Sequence, residues 1–432
     1  MMKRLPACAM RRWSHEYARA ARSGRTMQVD REQLPVNAFR PLDGVRIVEF
    51  SSSIAGPMST MILAQLGADV VKVESQQGDD ARGWPPHIED RSVVYRQMSV
   101  GKRAIVVDLK HPDGIEVALA ITDTAQVVLQ TMRPGVADRI GIGRDAVRTR
   151  NPDVIYYDMN AFGTGPVGRE MPGYDPMVQA FTGIMEMTGY DGAPPTRCAP
   201  SLIDFGTGQW IAMGILAAVL AKARGQGPRA LETALVDTGF NVVSYQATTA
   251  LMTGERPPRA GSGNPIAAPY QCYRASDAEF MLAAGNQKIW MRVVQVLNAP
   301  ELGSDPRFTT GTLRSANRHV LEDELNARFA AATADEWIAR LSRAGVPATR
   351  VYGLEQAVTS DIARERRIFT ESEGVPLVRL PWLVDGEPLP WASPAPRLGQ
   401  HTREVLREVG FDNARIDELV SSGAVREATP PQ

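Results

Sequence analysis

The sequence has few of the residues that build disulfides or metal sites. Among 432 residues only three are cysteines, Cys8, Cys198 and Cys272, and they form no CxxC pair. A disulfide framework is therefore not expected, and a reducing compartment fits this usage. The five histidines show no metal-ligand spacing, so we predict no metal site.

The sequence also lacks a strong excess of either charge and a long hydrophobic run. It carries 48 basic and 49 acidic residues, which gives no overall attraction to nucleic acid or to an anionic membrane. The longest apolar run, Ile211–Ala221, is shorter than the roughly 20 residues that span a bilayer. We therefore predict a soluble protein without nucleic-acid or membrane partners, in which any polyanionic ligand meets a local basic cluster.

The N-terminus is rich in arginine and poor in acids, because residues 1–28 contain the single acid Glu16. Such a start is typical of a mitochondrial transit peptide. Serine is scarce, however, and no clear apolar face forms. We favour an extension over residues 1–40, or a true start at Met27, in a cytoplasmic protein, with the mitochondrial matrix as the alternative location.

From residue 41 onward, strand-like and helix-like patterns alternate. Val45–Phe50 and Asp69–Glu74 are rich in β-branched residues, and a helix from about Met58 to Leu66, ended by Gly67, separates them. This βαβ pattern continues to a strand at Val154–Asp158, which predicts an α/β fold with a mostly parallel sheet. Ligands of such sheets bind at the carboxyl ends of the strands. The first loop lacks GxGxxG, which disfavours a nicotinamide dinucleotide.

A boundary follows at Gly254–Pro269, which is dense in glycine, proline, arginine and serine. A hairpin pattern and three helical patterns come next, and they predict a smaller α+β domain over residues 256–345. Residues 41–255 and 346–432 are assigned to a large Rossmann-like domain.

One acid stands out in the stretch Pro200–Gly208. Asp204 precedes an apolar segment, Trp210–Ala221, which is predicted to be a core helix. A carboxylate in apolar surroundings is costly unless it is paired, hydrogen-bonded or chemically used. Asp204 is therefore a candidate nucleophile, and the alternative is that it caps the helix. Gly206 and Gly208 would let the backbone approach a neighbour closely.

Ten short blocks occur in one order over about residues 41–425. They are Pro41–Val45, Ala55–Pro57, Leu66–Glu74, Lys102–Arg103, Pro134–Gly135, Asp138–Arg139, Gly173–Asp175, the Asp204 segment, Gly263–Asn264 and Leu398–Thr402. In this order they resemble the class III CoA-transferases, the formyl-CoA, carnitine and bile-acid CoA-transferase group. The C-terminal half looks most like the succinyl-CoA:glutarate type. The resemblance implies an interlocked, ring-like homodimer that uses coenzyme A thioesters as substrates.

The resemblance also implies roles for particular residues. Asp204 would be the nucleophile that forms an aspartyl anhydride and then an aspartyl-CoA thioester, and Asp175 would lie beside the reacting centre. The alternative for Asp175 is a solvated turn residue. In the related α-methylacyl-CoA racemases a histidine precedes this aspartate, and here Tyr174 replaces it, which disfavours racemase chemistry.

Further positions match family residues that contact CoA or close over the nucleophile. The CoA set is Ser53, Ile54, Ala55, Lys102, Arg103, Lys110 and Arg139, and the alternative for its basic members is ordinary solvated surface charge. Gly261, Gly263 and Asn264 match, loosely, a glycine loop whose amides hold an oxyanion, and a plain hinge is the alternative. Ile54 replaces the glutamine of formyl-CoA transferase, which disfavours a formyl/oxalate pair.

We therefore predict a CoA-transferase that moves CoA from an acyl-CoA, with succinyl-CoA as the expected donor, to a dicarboxylic acid. An arginine would hold the second carboxylate, with Arg82, Arg103 and Arg169 as candidates. The alternatives are a racemase or epimerase of the same fold, and a non-catalytic CoA-binding protein.

Overall fold

The computed structural model describes residues 39–428. The predicted transit peptide over residues 1–28, the start at Met27 and all but the last two residues of the predicted extension therefore lie outside the described residues.

Strands and helices alternate along most of the described chain. The strands are β1 (Arg46–Phe50), β2 (Asp69–Glu74), β3 (His87–Ile88), β4 (Arg91–Ser92), β5 (Arg103–Val107), β6 (Val127–Gln130), β7 (Ile155–Asn160), β8 (Ala230–Ala234), β9 (Tyr270–Arg274), β10 (Glu279–Ala283), β11 (Ala348–Arg350), β12 (Phe369–Ser372), β13 (Val375–Val378), β14 (Leu383–Val384), β15 (Glu387–Pro388) and β16 (Val425–Arg426). The helices are α1 (Ala55–Gln65), α2 (Val93–Ser99), α3 (Pro112–Asp123), α4 (Val136–Ile140), α5 (Arg144–Arg150), α6 (Asp175–Phe181), α7 (Ile184–Met187), α8 (Leu202–Ala223), α9 (Leu235–Val242), α10 (Ser244–Thr253), α11 (Gln287–Val296), α12 (Pro300–Ser304), α13 (Gly311–Ala316), α14 (Arg318–Phe329), α15 (Ala334–Arg343), α16 (Leu354–Ala357), α17 (Asp361–Glu365), α18 (Thr402–Glu408) and α19 (Asn413–Ser421).

A seven-stranded sheet dominates the structure, with strand order β16-β5-β2-β1-β6-β7-β8. All neighbouring strands pair in parallel except β16, which is antiparallel to β5 at one edge. Without β16, the strands follow the Rossmann order 3-2-1-4-5-6, in which ligands bind where the strand order reverses. That point lies between β1 and β6. The predicted α/β class with a mostly parallel sheet is confirmed.

The chain divides into two compact units. The first contains the described residues up to Val178, then Ser201–Gly239, then the described residues from Arg364 onward. The second contains Gln179–Pro200 and Phe240–Ala363. The range predicted for the smaller domain, 256–345, lies inside this second unit, which extends further at both ends and includes an earlier segment.

Each unit has its own core. In the first, the central strands are buried on both faces, as their runs of valine and isoleucine predict, and Val48, Val71 and Val128 have no exposed surface. In the second, the antiparallel sheet β11-β10-β9 packs its apolar face on helices, with Phe280 against Phe329 at 5.0 Å between ring centres.

Helix α8 begins earlier than predicted and contains 22 residues. The sequence pattern placed its start near Trp210, because Gly206 and Gly208 are poor helix formers. By length and composition alone α8 is the one described helix that could cross a membrane. The predicted apolar run Ile211–Ala221 is only part of α8, and one side of α8 packs within the first unit.

Candidate active site

The loops that follow the strands collect at the carboxyl edge of the large sheet. The loop after β1 contains Ser51–Ile54, and it meets the loop after β6, because a Cβ at Gly56 would lie 2.8 Å from Thr131 Cγ2. Both loops flank the reversal of strand order. The predicted CoA residues Ser53, Ile54 and Ala55 therefore lie where a Rossmann sheet binds ligands.

Helix α8 brings Asp204 to this edge. A Cβ at Gly208 would lie 2.9 Å from the Ala55 carbonyl oxygen and 3.1 Å from Met58 Cβ, so glycine is what permits α8 to pack this closely on the start of α1. Asp204 lies one helical turn before Gly208. The close approach predicted for Gly208 is present, and it places the helix turn that carries Asp204 beside the loop after β1.

Asp204 is not the cap of α8, because it is the third residue inside the helix. Its side chain is half-buried in the first turn, where the positive end of the helix dipole stabilises negative charge. The flanking residues Leu202 and Phe205 are 36% and 40% exposed, and Ile203 is buried. The carboxylate therefore stands at an accessible surface that is rich in apolar groups.

Asp175 performs the capping role that the sequence offered to Asp204. Its Oδ2 accepts hydrogen bonds from the backbone amides of Ile203, at 2.8 Å, and Asp204, at 3.4 Å. Asp175 is 1% exposed, so the alternative of a solvated turn residue is wrong. The structure thus joins the two predicted acids directly, with the carboxylate of one holding the backbone of the other. The preceding Tyr174 is 66% exposed.

Lys102, in contrast, is fully enclosed. Its Nζ lies 2.9 Å from Glu49 Oε2 and donates to the Pro57 carbonyl at 2.7 Å. Burial lowers the pKa of Lys102 to about 8, although Glu49 favours the charged form. Its charge is therefore used inside the protein rather than presented to a ligand, and the alternative of solvated surface charge does not apply to it.

Arg103 is also committed to internal ion pairs, at the opposite edge of the sheet. Its guanidinium pairs with Asp69 at 2.6 Å, Glu404 at 2.9 Å and Glu408 at 2.7 Å. Burial opposes ionisation of Asp69, yet Arg103 and Arg46 hold the pKa of that carboxyl below its ordinary value. Because β5 begins at Arg103, this cluster lies at the amino edge of the sheet. Lys102 and Arg103 are therefore not part of the proposed CoA site.

Lys110 and Arg139 remain exposed at the carboxyl edge. Lys110 follows β5, and Arg139 lies on α4 after β6. A Cβ at Gly135 would lie 3.9 Å from Arg139 Nη1 and 3.9 Å from Arg169 Nη2, so two guanidinium groups flank this glycine. Within residues 39–428 the side chains of Lys110 and Arg139 make no ion pair. Arg139 and Arg169 thus form a basic pair, and Lys110 adds a further exposed cation at the same edge, of the kind that phosphates require.

Of the three arginines considered for a second carboxylate, only Arg169 is accessible. Arg82 makes two hydrogen bonds to Glu74, at 2.8 and 2.6 Å, and its guanidinium lies over the Tyr95 ring. Arg169 is half-exposed and has a single acidic neighbour, Glu170, at 3.4 Å.

The glycine loop lies in the second unit, and its backbone amides are already used. Gly261 donates to the Gly189 carbonyl at 3.0 Å, Gly263 to Ala260 at 2.7 Å, and Asn264 to Tyr270 at 2.9 Å. An oxyanion hole needs amides that are free to donate. In this conformation these three amides are not available for that role.

No group of three or more histidine, cysteine, aspartate and glutamate side chains is placed to hold a metal ion within residues 39–428. Sequence reasoning missed a second set of charges, Glu49, Lys72 and Asp79, which lies beneath the loop after β1. The sequence does contain a signal for it, because Glu49 in β1 and Lys72 in β2 are charged residues within strands that otherwise read as buried.

Comparison with known proteins identifies the family of the chain. Residues 42–402 match CoA-transferase family III. The chain belongs to this family. It is 29% identical to succinyl-CoA:glutarate CoA-transferase of Mus musculus, over 95% of this chain and 96% of that protein. It is 31% identical to acetyl-CoA:oxalate CoA-transferase of Acetobacter aceti, over 89% of this chain and 100% of that protein.

A solved structure agrees as well. A CaiB/BaiF family protein from Brucella suis is 32% identical, with a TM-score of 0.77, over 85% of this chain and 99% of that one. The protein is therefore a CoA-transferase, whose substrates are coenzyme A thioesters, and the predicted family and enzyme class are confirmed.

Proposed function

We propose that this CoA-transferase moves CoA from an acyl-CoA to a free dicarboxylic acid, with Asp204 as the nucleophile. The observation that carries the proposal is the position of Asp204. It is a half-buried carboxylate in the first turn of α8. Gly208 lets that helix pack closely on the start of α1, beside the loop after β1.

Each chemical step follows from a carboxylate at that position. Asp204 attacks the thioester carbonyl, the C–S bond breaks, and CoA thiolate leaves a mixed anhydride on the enzyme. The thiolate then attacks the aspartyl carbonyl and releases the donor acid, which leaves an aspartyl-CoA thioester. The acceptor carboxylate attacks this thioester, the C–S bond breaks, and a new anhydride forms as CoA thiolate is released. The thiolate finally attacks the acceptor's acyl carbon and frees Asp204.

Asp175 supports these steps without touching the reacting bonds. Its carboxylate satisfies the backbone amides of Ile203 and Asp204, which fixes the turn from which the nucleophile projects. The apolar neighbours Leu202 and Phe205 would limit water around a bound anhydride and so slow its hydrolysis.

A dicarboxylic acceptor is supported by the names of the relatives and by Arg169. Glutarate and oxalate, the acids in those names, both carry two carboxylates. One carboxylate of the acceptor would react at Asp204 while Arg169 binds the other, because a planar guanidinium meets a carboxylate with two hydrogen bonds.

The proposed active form is a homodimer. Helix α10 buries none of its ten residues within the chain, and its Leu251 and Met252 are 87% and 81% exposed. Helix α8 likewise exposes Trp210 and Met213. A helix with no packed face is not stable by itself, so a second copy of the chain is proposed to cover these surfaces. Light scattering at nanomolar dilution should show a dimer, and a folded monomer would contradict this.

An acceptor screen tests the proposed function. Succinyl-CoA or acetyl-CoA is supplied with one acid at a time, either a diacid (glutarate, succinate, oxalate, mesaconate) or a monoacid (butyrate, crotonate). A monoacid would leave Arg169 unpaired, which costs roughly 1–3 kcal/mol, so kcat/KM should be at least about tenfold higher for the best diacid. Equal rates with monoacids would overturn the proposal of a dicarboxylic acceptor. The absence of transfer to any acid would overturn the proposed function as a whole.

A further inference from the structure

Four buried charges lie directly beneath the loop after β1. Glu49, Lys72, Lys102 and Asp79 are between 0% and 5% exposed. Glu49 pairs with Lys72 at 2.8 Å and with Lys102 at 2.9 Å, and Lys72 also pairs with Asp79 at 2.8 Å. Two positive and two negative groups balance. We call this set the loop-anchoring network.

Three members of the network hold the backbone of the loop. Lys72 Nζ donates to the Ser51 carbonyl at 2.7 Å, and Lys102 Nζ donates to the Pro57 carbonyl at 2.7 Å. Between these ends, Asp79 Oδ1 accepts from the Ser53 amide at 3.0 Å. The start and the middle of the loop, and the first turn of α1 that follows it, are therefore held by charged groups that cannot move without leaving a buried charge unpaired.

The middle contact fixes a backbone conformation that serine rarely adopts. Ser53 has φ = 75°, in the left-handed region. A non-glycine residue persists there only when its surroundings determine it. Asp79 supplies that constraint, since it also accepts from Ser52 Oγ at 3.2 Å and caps its own turn through the Ala81 amide at 2.9 Å.

Three members of the network, Glu49, Lys72 and Asp79, are favoured in their ionised forms, whereas burial lowers the pKa of Lys102. Burial opposes ionisation of Glu49, yet Lys102 and Lys72 hold the pKa of that carboxyl well below its usual range. Burial likewise disfavours a charged Lys72, but Glu49 and Asp79 raise its pKa above the ordinary value. Apolar side chains of similar volume often replace a buried ion network at no loss of stability. Stability alone therefore does not explain four charges at this place.

We propose that the loop-anchoring network is a positioning device for the acyl-CoA, with Asp79 as its positioning residue. Asp79, held by Lys72, fixes Ser53 in the conformation that the thioester substrate requires, beside the α1–α8 contact that places Asp204. This inference rests on the proposed function and on the prediction that Ser53, Ile54 and Ala55 contact CoA. It adds that residues which do not touch the substrate set its affinity.

The test compares Asp79→Ala with Asp79→Asn. Alanine removes the acceptor of the Ser53 amide, whereas asparagine retains it through Oδ1 but loses the negative charge and the Oδ2 atom that pairs with Lys72. Calorimetry with coenzyme A should show affinity about tenfold weaker or worse in Asp79→Ala, and recovery to within about threefold of wild type in Asp79→Asn. The KM for acyl-CoA should follow the same order, and the KM for the acceptor acid should not change.

Asp69→Ala is the matched control, because it also breaks a partly buried carboxylate–cation cluster in the same sheet, but at the amino edge. It should lower stability and leave CoA affinity unchanged. If Asp79→Ala does not fold, Ser53→Pro tests the loop itself, because proline has no amide hydrogen and cannot adopt φ = 75°. It should weaken CoA affinity in the same way.

The outcomes separate this inference from the proposed function. Wild-type affinity for CoA in folded Asp79→Ala, or in Ser53→Pro, overturns the inference while transfer by the wild-type enzyme stands. An equal loss of affinity in Asp69→Ala also overturns it, because the effect would then follow stability. A wild-type protein that binds no CoA overturns both.

Discussion

Asp175 Oδ2 lies 2.8 Å from the backbone nitrogen of Ile203, in the turn that also carries Asp204. One buried acid thus caps the N-terminus of the helix that carries the proposed nucleophile. Two carboxylates that looked independent in the sequence form one structural unit, in which Asp175 orders the backbone and Asp204 faces the substrate.

The first prediction concerns this cap. Asp175→Ala should lower the free energy of unfolding by about 0.5–2 kcal/mol, because it leaves amides of the first turn of α8 without an acceptor. It should also lower kcat, since the turn is no longer fixed. Asp175→Asn retains an acceptor oxygen and should restore most of the stability. Urea denaturation and steady-state kinetics measure the two effects, and unchanged stability in Asp175→Ala would refute the capping role.

The second prediction concerns the phosphates of CoA. Lys110→Ala and Arg139→Ala should each weaken CoA binding by about 1–3 kcal/mol, the range for hydrogen bonds to charged groups. Binding should also weaken as salt rises, because both side chains are exposed. Arg150→Ala is the control, since Arg150 is bound to Asp123 and Glu116 at the end of α5 that precedes β7, on the amino edge. If neither Lys110→Ala nor Arg139→Ala differs from this control, the phosphates bind elsewhere.

The third prediction assigns acceptor specificity to Arg169. Arg169→Ala should lower kcat/KM for diacids about tenfold to a hundredfold and leave the values for monoacids unchanged. The KM for acyl-CoA is the internal control. If that KM rises while acceptor preference stays the same, Arg169 acts with Arg139 on the phosphates, and the acceptor assignment is wrong.

The fourth prediction concerns pH. Arg103 and Arg46 lower the pKa of Asp69 in the folded protein, against the effect of burial. The stability gained from this carboxylate is fully present above its unfolded pKa of about 3.9 and is lost as pH falls through the lower folded value. The free energy of unfolding should therefore decrease below about pH 4–5. Asp69→Asn should flatten this dependence, and an identical slope in the variant would show that Asp69 does not contribute.

The sequence predicted the large sheet well because its strands are buried on both faces and are separated by clear turn signals. Asp69–Glu74 was placed to the residue, and Gly67 ends α1 with φ = 105° as expected. Asp204 was singled out because an acid before an apolar helix indicates either a helix cap or a reactive carboxylate. The resemblance to the CoA-transferases then favoured the role of nucleophile.

Other features depend on contacts between distant residues, which periodicity does not record. The capping of α8 by Asp175 spans 28 positions, so the helix start near Leu202 could not be derived from local signals. Lys102 was predicted to contact CoA, with solvated surface charge as the alternative, and its burial was not foreseen because lysine is rarely buried and its partner Glu49 lies 53 positions earlier. The amides of the glycine loop were expected to be free, because their acceptors are not apparent in the sequence.

The central claim is that Asp204 carries the acyl group, and a trapping experiment tests it most directly. The enzyme is incubated with succinyl-CoA without acceptor, treated with hydroxylamine or borohydride, digested and analysed by mass spectrometry. We predict modification at Asp204 only when acyl-CoA is present, with Asp204→Asn unmodified, folded, able to bind CoA and inactive in transfer. Modification at another carboxylate, or normal turnover by Asp204→Asn, would contradict it.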